Sequence, residues 1–258
     1  MTQSKLLIIV LLSLLTTGPM FSQKEYNLHE LSVSEDDSGR YIFKITGKRQ
    51  KLLNGEFRIN YNDENEYIIA SFVNGILNGL YRNYKNHQLE LEVTYLKGYK
   101  NGVFRRFTRF GDLASEGTFL KDKMHGVITT YYYNGRIESE YVYKEGKLHG
   151  ICKTYTDEGL LKSEQGYVEG LEDGIERRYS EDAGVLTLSC NYKNGLKEGK
   201  QFSLYKDTND EYTEESFYIG GKKEGEYKET YTMVSRVRKD FIETERKRVN
   251  GCYMRKME

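Results

Sequence analysis

The sequence predicts an all-β protein: an elongated, single, twisted antiparallel sheet built from about eight tandem β-hairpins of 23–26 residues, with no globular α/β core. Three observations predict it. Glycine recurs at a fixed step, aromatic residues recur in phase with it, and the composition is too polar for a thick core. Hydrophobic residues are 38% of the 258, charged residues 30%, and mean hydropathy is −0.72, against about 45–50% apolar in ordinary globular domains. The 23 Tyr and 11 Phe exclude a solvated coil.

The period is read from Gly55, Gly79, Gly102, Gly126, Gly150, Gly174, Gly199, Gly225 and Gly251, at steps of 24, 23, 24, 24, 24, 25, 26 and 26 residues. A second glycine precedes most of these by four residues: Gly75, Gly98, Gly146, Gly170, Gly195 and Gly221. The unit "GICKTYTDEGLLKSEQGYVEGLEDG" (150–174) divides into strand, turn, strand, turn. "TDEG" carries turn chemistry, and "LLKSEQGY" alternates Ser163, Gln165 and Tyr167 against Lys162 and Glu164. The glycines Gly55 to Gly225 are expected at turns, where positive φ costs Gly little. Asn54, Asn78, Asn101, His125, His149 and Asp173 precede them. Asn, Asp and His are enriched at positive φ, so these too are expected to serve the turns.

The remaining segments follow in chain order. Lys5, the apolar run "LLIIVLLSLL" (6–15) and "TTGPMFSQK" predict a secretory signal peptide over 1–22, cleaved near Ser22–Gln23. The run is about half the ~20 residues that span a bilayer, and no lipoprotein cysteine follows it. The expected location is periplasmic or secreted, with no integral span after cleavage. Residues 23–49, including "LSVSEDDSGRYIFKI", read as an N-terminal hairpin and cap; 50–232 are the repeats; 233–258 are an irregular last repeat with a charged cap. The only proline, Pro19, lies in the signal segment, so the ladder loses no hydrogen bond to proline.

Function classes follow from charge and motif. Formal net charge is 0, which gives no electrostatic grip on nucleic acid. No nucleophile elbow, phosphate loop or His/Cys metal spacing occurs, so no catalytic residue, metal or cofactor is expected. Cys152 and Cys190 fall three strands apart in a meander, roughly 14 Å, beyond the ~7 Å reach of a disulfide. A column of Glu92, Glu116, Glu140 and Glu164 is expected on a wet face beside Arg82, Arg105, Arg106, Lys153, Arg177 and Arg178. The aromatic column Tyr84, Phe107, Tyr131, Tyr155 and Tyr179 is the candidate partner-binding surface, because Tyr joins an apolar ring to a polar tip.

The pattern shown by Gly102, Phe104, Phe107, Gly111, Leu113, Glu116, Phe119 and Gly126 resembles the MORN repeat, in its bacterial variant, over about residues 50–232. That resemblance implies an elongated sheet of antiparallel hairpins, no catalytic motif, and protein scaffolding or membrane association; related bacterial proteins are the YwqK-family antitoxins. The expected function is therefore an exported scaffold that binds another, unidentified protein in the cell envelope, in an immunity or antitoxin-like role. The alternative is a module that contacts cell-wall glycan or a membrane surface.

Overall fold

The computed structural model describes residues 24–47, 50–61, 65–206, 210–233, 242–249 and 252–255, with side chains to residue 224. The expected signal peptide lies outside the described residues. β1 (Lys24–Asn27) leads through a single 3-10 turn into β2 (Leu31–Glu35), β3 (Tyr41–Ile45) and the short β4 (Lys51–Leu52). The meander then runs β5 (Gly55–Asn60), β6 (Glu66–Val73), β7 (Ile76–Lys85), β8 (Gln88–Leu96), β9 (Tyr99–Phe107), β10 (Leu113–Leu120), β11 (Lys123–Tyr131) and β12 (Ile137–Lys144). It continues through β13 (Lys147–Leu148), β14 (Gly150–Tyr155), β15 (Leu161–Val168), β16 (Leu171–Tyr179), β17 (Leu186–Lys193) and β18 (Leu196–Lys197). The last strands are β19 (Gly199–Lys206), β20 (Asp210–Ile219), β21 (Lys222–Met233), β22 (Ile242–Val249) and β23 (Cys252–Arg255). From β5 onward the strands form an antiparallel meander in one long sheet, in which β13 and β14 both pair with β12, and β18 and β19 both pair with β17.

Two features depart from a purely antiparallel single sheet. β1 pairs parallel with β5, from Lys24↔Phe57 to Asn27↔Asn60, so the long sheet is mixed at that end. β2, β3 and β4 form a separate three-stranded sheet. That small sheet docks on the first unit through Phe43 N–H to Gly75 O (2.8 Å) and Leu53 N–H to Phe43 O (3.2 Å). It encloses the apolar cluster of Leu31, Leu53, Phe57, Ile59, Ile68, Ala70 and Phe72. Phe43 and Phe72 meet edge to face at 5.1 Å. A two-sided core thus exists at the N-terminal end, where a second layer covers the sheet. Each such side chain stabilises by about 1.5–3 kcal/mol when fully buried.

The repeating frame "NGILNG" has a specific geometry. Asn74 and Gly75 have φ of 52° and 77°, the two-residue type I′ turn whose twist matches the strands. Ile76 and Leu77 then pair back with Val73 and Phe72. Between there and Tyr81 the register jumps, with Ala70–Phe72 facing Tyr81–Leu77. Gly79 (φ 118°) lies in that bulge. The same jump recurs at Val93–Tyr95 against Phe104–Lys100, and at Gln165–Tyr167 against Glu176–Glu172. The glycines expected to be turn residues are therefore mostly bulge residues: Gly79, Gly102, Gly126 and Gly174 lie within strands, and Gly55, Gly150 and Gly199 open them, at φ of 77–119°. Gly225 lies within β21. The chain reverses four residues earlier, at the second glycine.

The bulge bends each hairpin tip so that it rests on the unit before it. The N–H of the second turn residue donates to a carbonyl one unit back: Gly75 to Leu53 (2.8 Å), Gly98 to Leu77 (2.8 Å), Asp122 to Lys100 (2.9 Å), Gly146 to Met124 (2.9 Å), Gly170 to Leu148 (2.9 Å), Gly195 to Glu172 (2.8 Å) and Gly221 to Lys197 (2.9 Å). The residue before the bulge glycine adds a side-chain acceptor. Asn54 Oδ1 takes the Asn74 N–H at 2.8 Å, Asn78 Oδ1 the Lys97 N–H at 3.0 Å, and Asp173 Oδ2 the Asn194 N–H at 3.2 Å. None of Asn54, Asn78, Asn101, His125, His149 and Asp173 has positive φ. The place of Asn54, Asn78, Asn101 and Asp173 in the repeat is explained by accepting a hydrogen bond, and not by tolerance of left-handed backbone; the His149 Nδ1 at the same position has no hydrogen-bond partner.

Candidate interaction surface

Strand alternation gives the long sheet two unlike faces. The position two residues after each bulge glycine points to the buried face: Phe57, Tyr81, Phe104, Ile128, Cys152 and Glu176. The bent tips cover this face, where Met124, Tyr95 and Phe119 pack against Val93, Phe104 and Ile128. Cys152 and Cys190 lie there as free, buried thiols, joined in register through Gln165 and Glu176, three strands apart. Burial pushes both thiols up from the ordinary range.

The open face carries three parallel rows. The middle row crosses the strands in continuous register: Arg82, Glu92, Arg105, Glu116, Thr129, Glu140, Lys153, Glu164 and Arg177. Charges alternate along most of it. Arg82 meets Glu92 at 2.9 Å, Arg105 meets Glu92 and Glu116 at 3.4 Å each, and Arg177 meets Glu164 at 2.5 Å. Lys153 stands in register between Glu140 and Glu164. Arg106 and Arg178, grouped with this column from sequence, occupy the next position along their strands and point to the opposite face.

Two residues along each strand lies the aromatic row, half-buried in all five members. Tyr84 stacks on Tyr67 at 4.7 Å. Phe107 and Tyr179 stand opposite Leu113 and Leu186. The Tyr131 hydroxyl donates to Glu116 at 2.8 Å, and the Tyr155 hydroxyl to Glu140 at 2.7 Å. Burial, with the neighbouring carboxylates, pushes both phenols up to about 12. The structure thus brings the aromatic and glutamate columns together on one face.

No protein-family model matches the chain, and no curated protein matches it either.

The third row was not singled out from the sequence. Val103, Val127, Ile151 and Ile175 follow the bulge glycines, and they are 43%, 48%, 58% and 43% exposed. An aliphatic residue recurring after each glycine was the available signal. Its meaning needed the bulge, which sets these side chains opposite the buried Phe104, Ile128, Cys152 and Glu176. Sequence reading also missed Phe110 and Tyr133, 65% and 84% exposed at the outer turns of successive units. Among the described residues, no group of three or more His, Cys, Asp or Glu is arranged to hold a metal ion.

Chemically the open face is a charge-compensated strip. Aliphatic side chains run along one side and hydroxyl-tipped rings along the other. Its carboxylates are spread along the row and engaged by guanidinium or phenol groups. Such a strip offers apolar contact, hydrogen bonding and registry to an extended partner.

Proposed function

We propose that this chain is an exported interaction scaffold of MORN-like hairpins, which binds another protein of the cell envelope along its open face. The observation that carries this reading is the row Val103, Val127, Ile151 and Ile175, exposed on four successive units beside the aromatic row. Exposed aliphatics scattered singly need no explanation, but a periodic row with one member on each of four successive units does. Repeat sheets use extended surfaces of this kind for partners. Export rests on the N-terminal apolar segment, and an antitoxin-like role on the MORN resemblance; that role requires the toxin to act outside the cytoplasm.

The test is crosslinked capture from an envelope fraction with three chains: wild type, Val127→Glu/Ile151→Glu, and Lys147→Gln as a control away from the face. The reading expects a partner band with wild type and control that the double variant loses, with all three chains equally folded by circular dichroism. The same bands with all three would overturn it. A second reading, contact with cell-wall glycan or a membrane surface, is favoured by the outward rings of Phe110 and Tyr133. Pelleting with purified cell wall or anionic vesicles, lost in Phe110→Ser/Tyr133→Ser, would support it; no pelleting would remove it.

A further inference from the structure

The buried face holds a site that neither the open face nor its partner uses. A cavity of about 300 Å3 opens between the tips and the sheet, at the lower end of the range for small-molecule pockets. Its floor is apolar: Val93, Phe104 and Ile128, with Phe119 and Met124 at the side. Phe104 and Phe119 pack at 4.9 Å. Space exists here because Ser115 and Thr130 bring only small side chains to the floor.

Two cations border this floor. Lys100 Nζ lies 5.3 Å from the Phe119 ring centre, and Arg106 stands on the other side. Among the described residues, neither forms an ion pair. Glu92 and Glu116 lie on the open face and are held by Arg82 and Arg105, while the acid nearest the lining, Glu138, accepts the Thr130 hydroxyl at 3.1 Å. The Asp122 carboxylate accepts the Lys100 backbone N–H at 2.7 Å.

The repeat itself supplies the comparison. Three units on, the positions of Lys100, Phe104 and Arg106 are taken by Glu172, Glu176 and Arg178, which line a separate polar cavity. There Glu176 holds Arg178 at 2.6 Å, so that arginine is neutralised within the chain. In the earlier unit a phenylalanine replaces the glutamate. The arginine is left facing an apolar floor, and a lysine replaces the second acid. An apolar pocket rimmed by two uncompensated cations is complementary to one chemical class.

We propose that this pocket binds a small molecule with a carboxylate on an apolar body, such as a medium-chain alkanoate. The chain buries against Val93, Phe104 and Ile128, and the carboxylate meets Arg106 and Lys100. Calorimetric titration of the full chain with octanoate, below its micellar concentration, tests this. The expected result is saturable one-site binding, with octanol bound at least about tenfold more weakly. Arg106→Gln and Lys100→Gln should each weaken octanoate by about threefold to fivefold, the scale of an exposed ion pair. Arg178→Gln should leave it unchanged. Ser115→Phe, which fills the cavity, should abolish binding; if that variant does not fold, the two charge variants decide. No saturable binding, equal affinity for octanol, or unaltered binding in both charge variants would each overturn the proposal. So would association with anionic vesicles but not with soluble octanoate.

Discussion

Gly117 is the most exacting test of how the buried face is packed. It sits in β10 without positive φ, so alanine there meets no backbone strain. A Cβ at this position would instead lie 2.3 Å from Ile128 Cδ1 and 3.0 Å from Phe104 Cε1. Ile128 is only 7% exposed and cannot swing into solvent. Gly117→Ala should therefore destabilise by about 1–3 kcal/mol, the usual cost of overpacking. Ile128→Val removes the offending Cδ1 at a cost of about 0.5–1.5 kcal/mol. In that background the alanine should be nearly neutral. The two remaining contacts, Phe104 Cε1 at 3.0 Å and Val127 O at 3.2 Å, each need a shift of a few tenths of an ångström. Reduced chain entropy in the unfolded state favours alanine by about 0.4–1 kcal/mol. The account thus predicts coupling of about 1–2 kcal/mol in the double-mutant cycle, measured by urea unfolding of the four chains. Additive effects, with Gly117→Ala equally costly in both backgrounds, would refute the placement of Ile128 over Gly117.

Gly75→Ala should destabilise more than Gly170→Ala. Both positions have positive φ, but the new Cβ would lie 2.7 Å from Phe43 O at 75 and 4.0 Å from the nearest atom at 170; thermal melts should separate them by at least about 1 kcal/mol. Tyr131 and Tyr155 have folded-state pKa values raised to about 12 from 10.0. Their contribution is therefore complete below pH 10 and lost between pH 10 and 12, so the alkaline loss of stability should be shallower in Tyr131→Phe/Tyr155→Phe, read from urea midpoints against pH. Cys152 and Cys190 should resist alkylation in the native chain and react on unfolding, because burial keeps both as thiols; rapid native-state labelling at either would contradict their burial.

Much of this fold is legible in the sequence, and the limits are instructive. The period, the hairpins and the three-strand separation of Cys152 from Cys190 follow from spacing alone. The buried column does not, because its composition drifts from Phe104 and Ile128 to Cys152 and Glu176. Burial there is imposed by the tips that bend over the sheet, so hydrophobicity need not be kept. Asn78 illustrates an ambiguity that sequence carries by nature, since Asn suits both positive φ and hydrogen-bond acceptance. Glu198 in the same column separates the two: it is not a residue favoured at positive φ, and its carboxylate accepts the Gly220 N–H at 2.8 Å. The parallel β1–β5 pair and the separate β2–β3–β4 sheet were not legible, because the N-terminal segment stands outside the period. On the open face, the aromatic and glutamate columns were visible as columns. Their meeting in the Tyr131–Glu116 and Tyr155–Glu140 hydrogen bonds required the register.

The central claim is that successive units are joined by turn-on-turn hydrogen bonds as well as by the sheet. Amide hydrogen exchange measured by nuclear magnetic resonance tests it at single residues. The account predicts that the N–H groups of Gly98, Gly146, Gly170 and Gly195 are protected to the level of neighbouring strand amides, although each lies in a tight turn. Exchange of these four at the rate of free, solvated turn amides would contradict it.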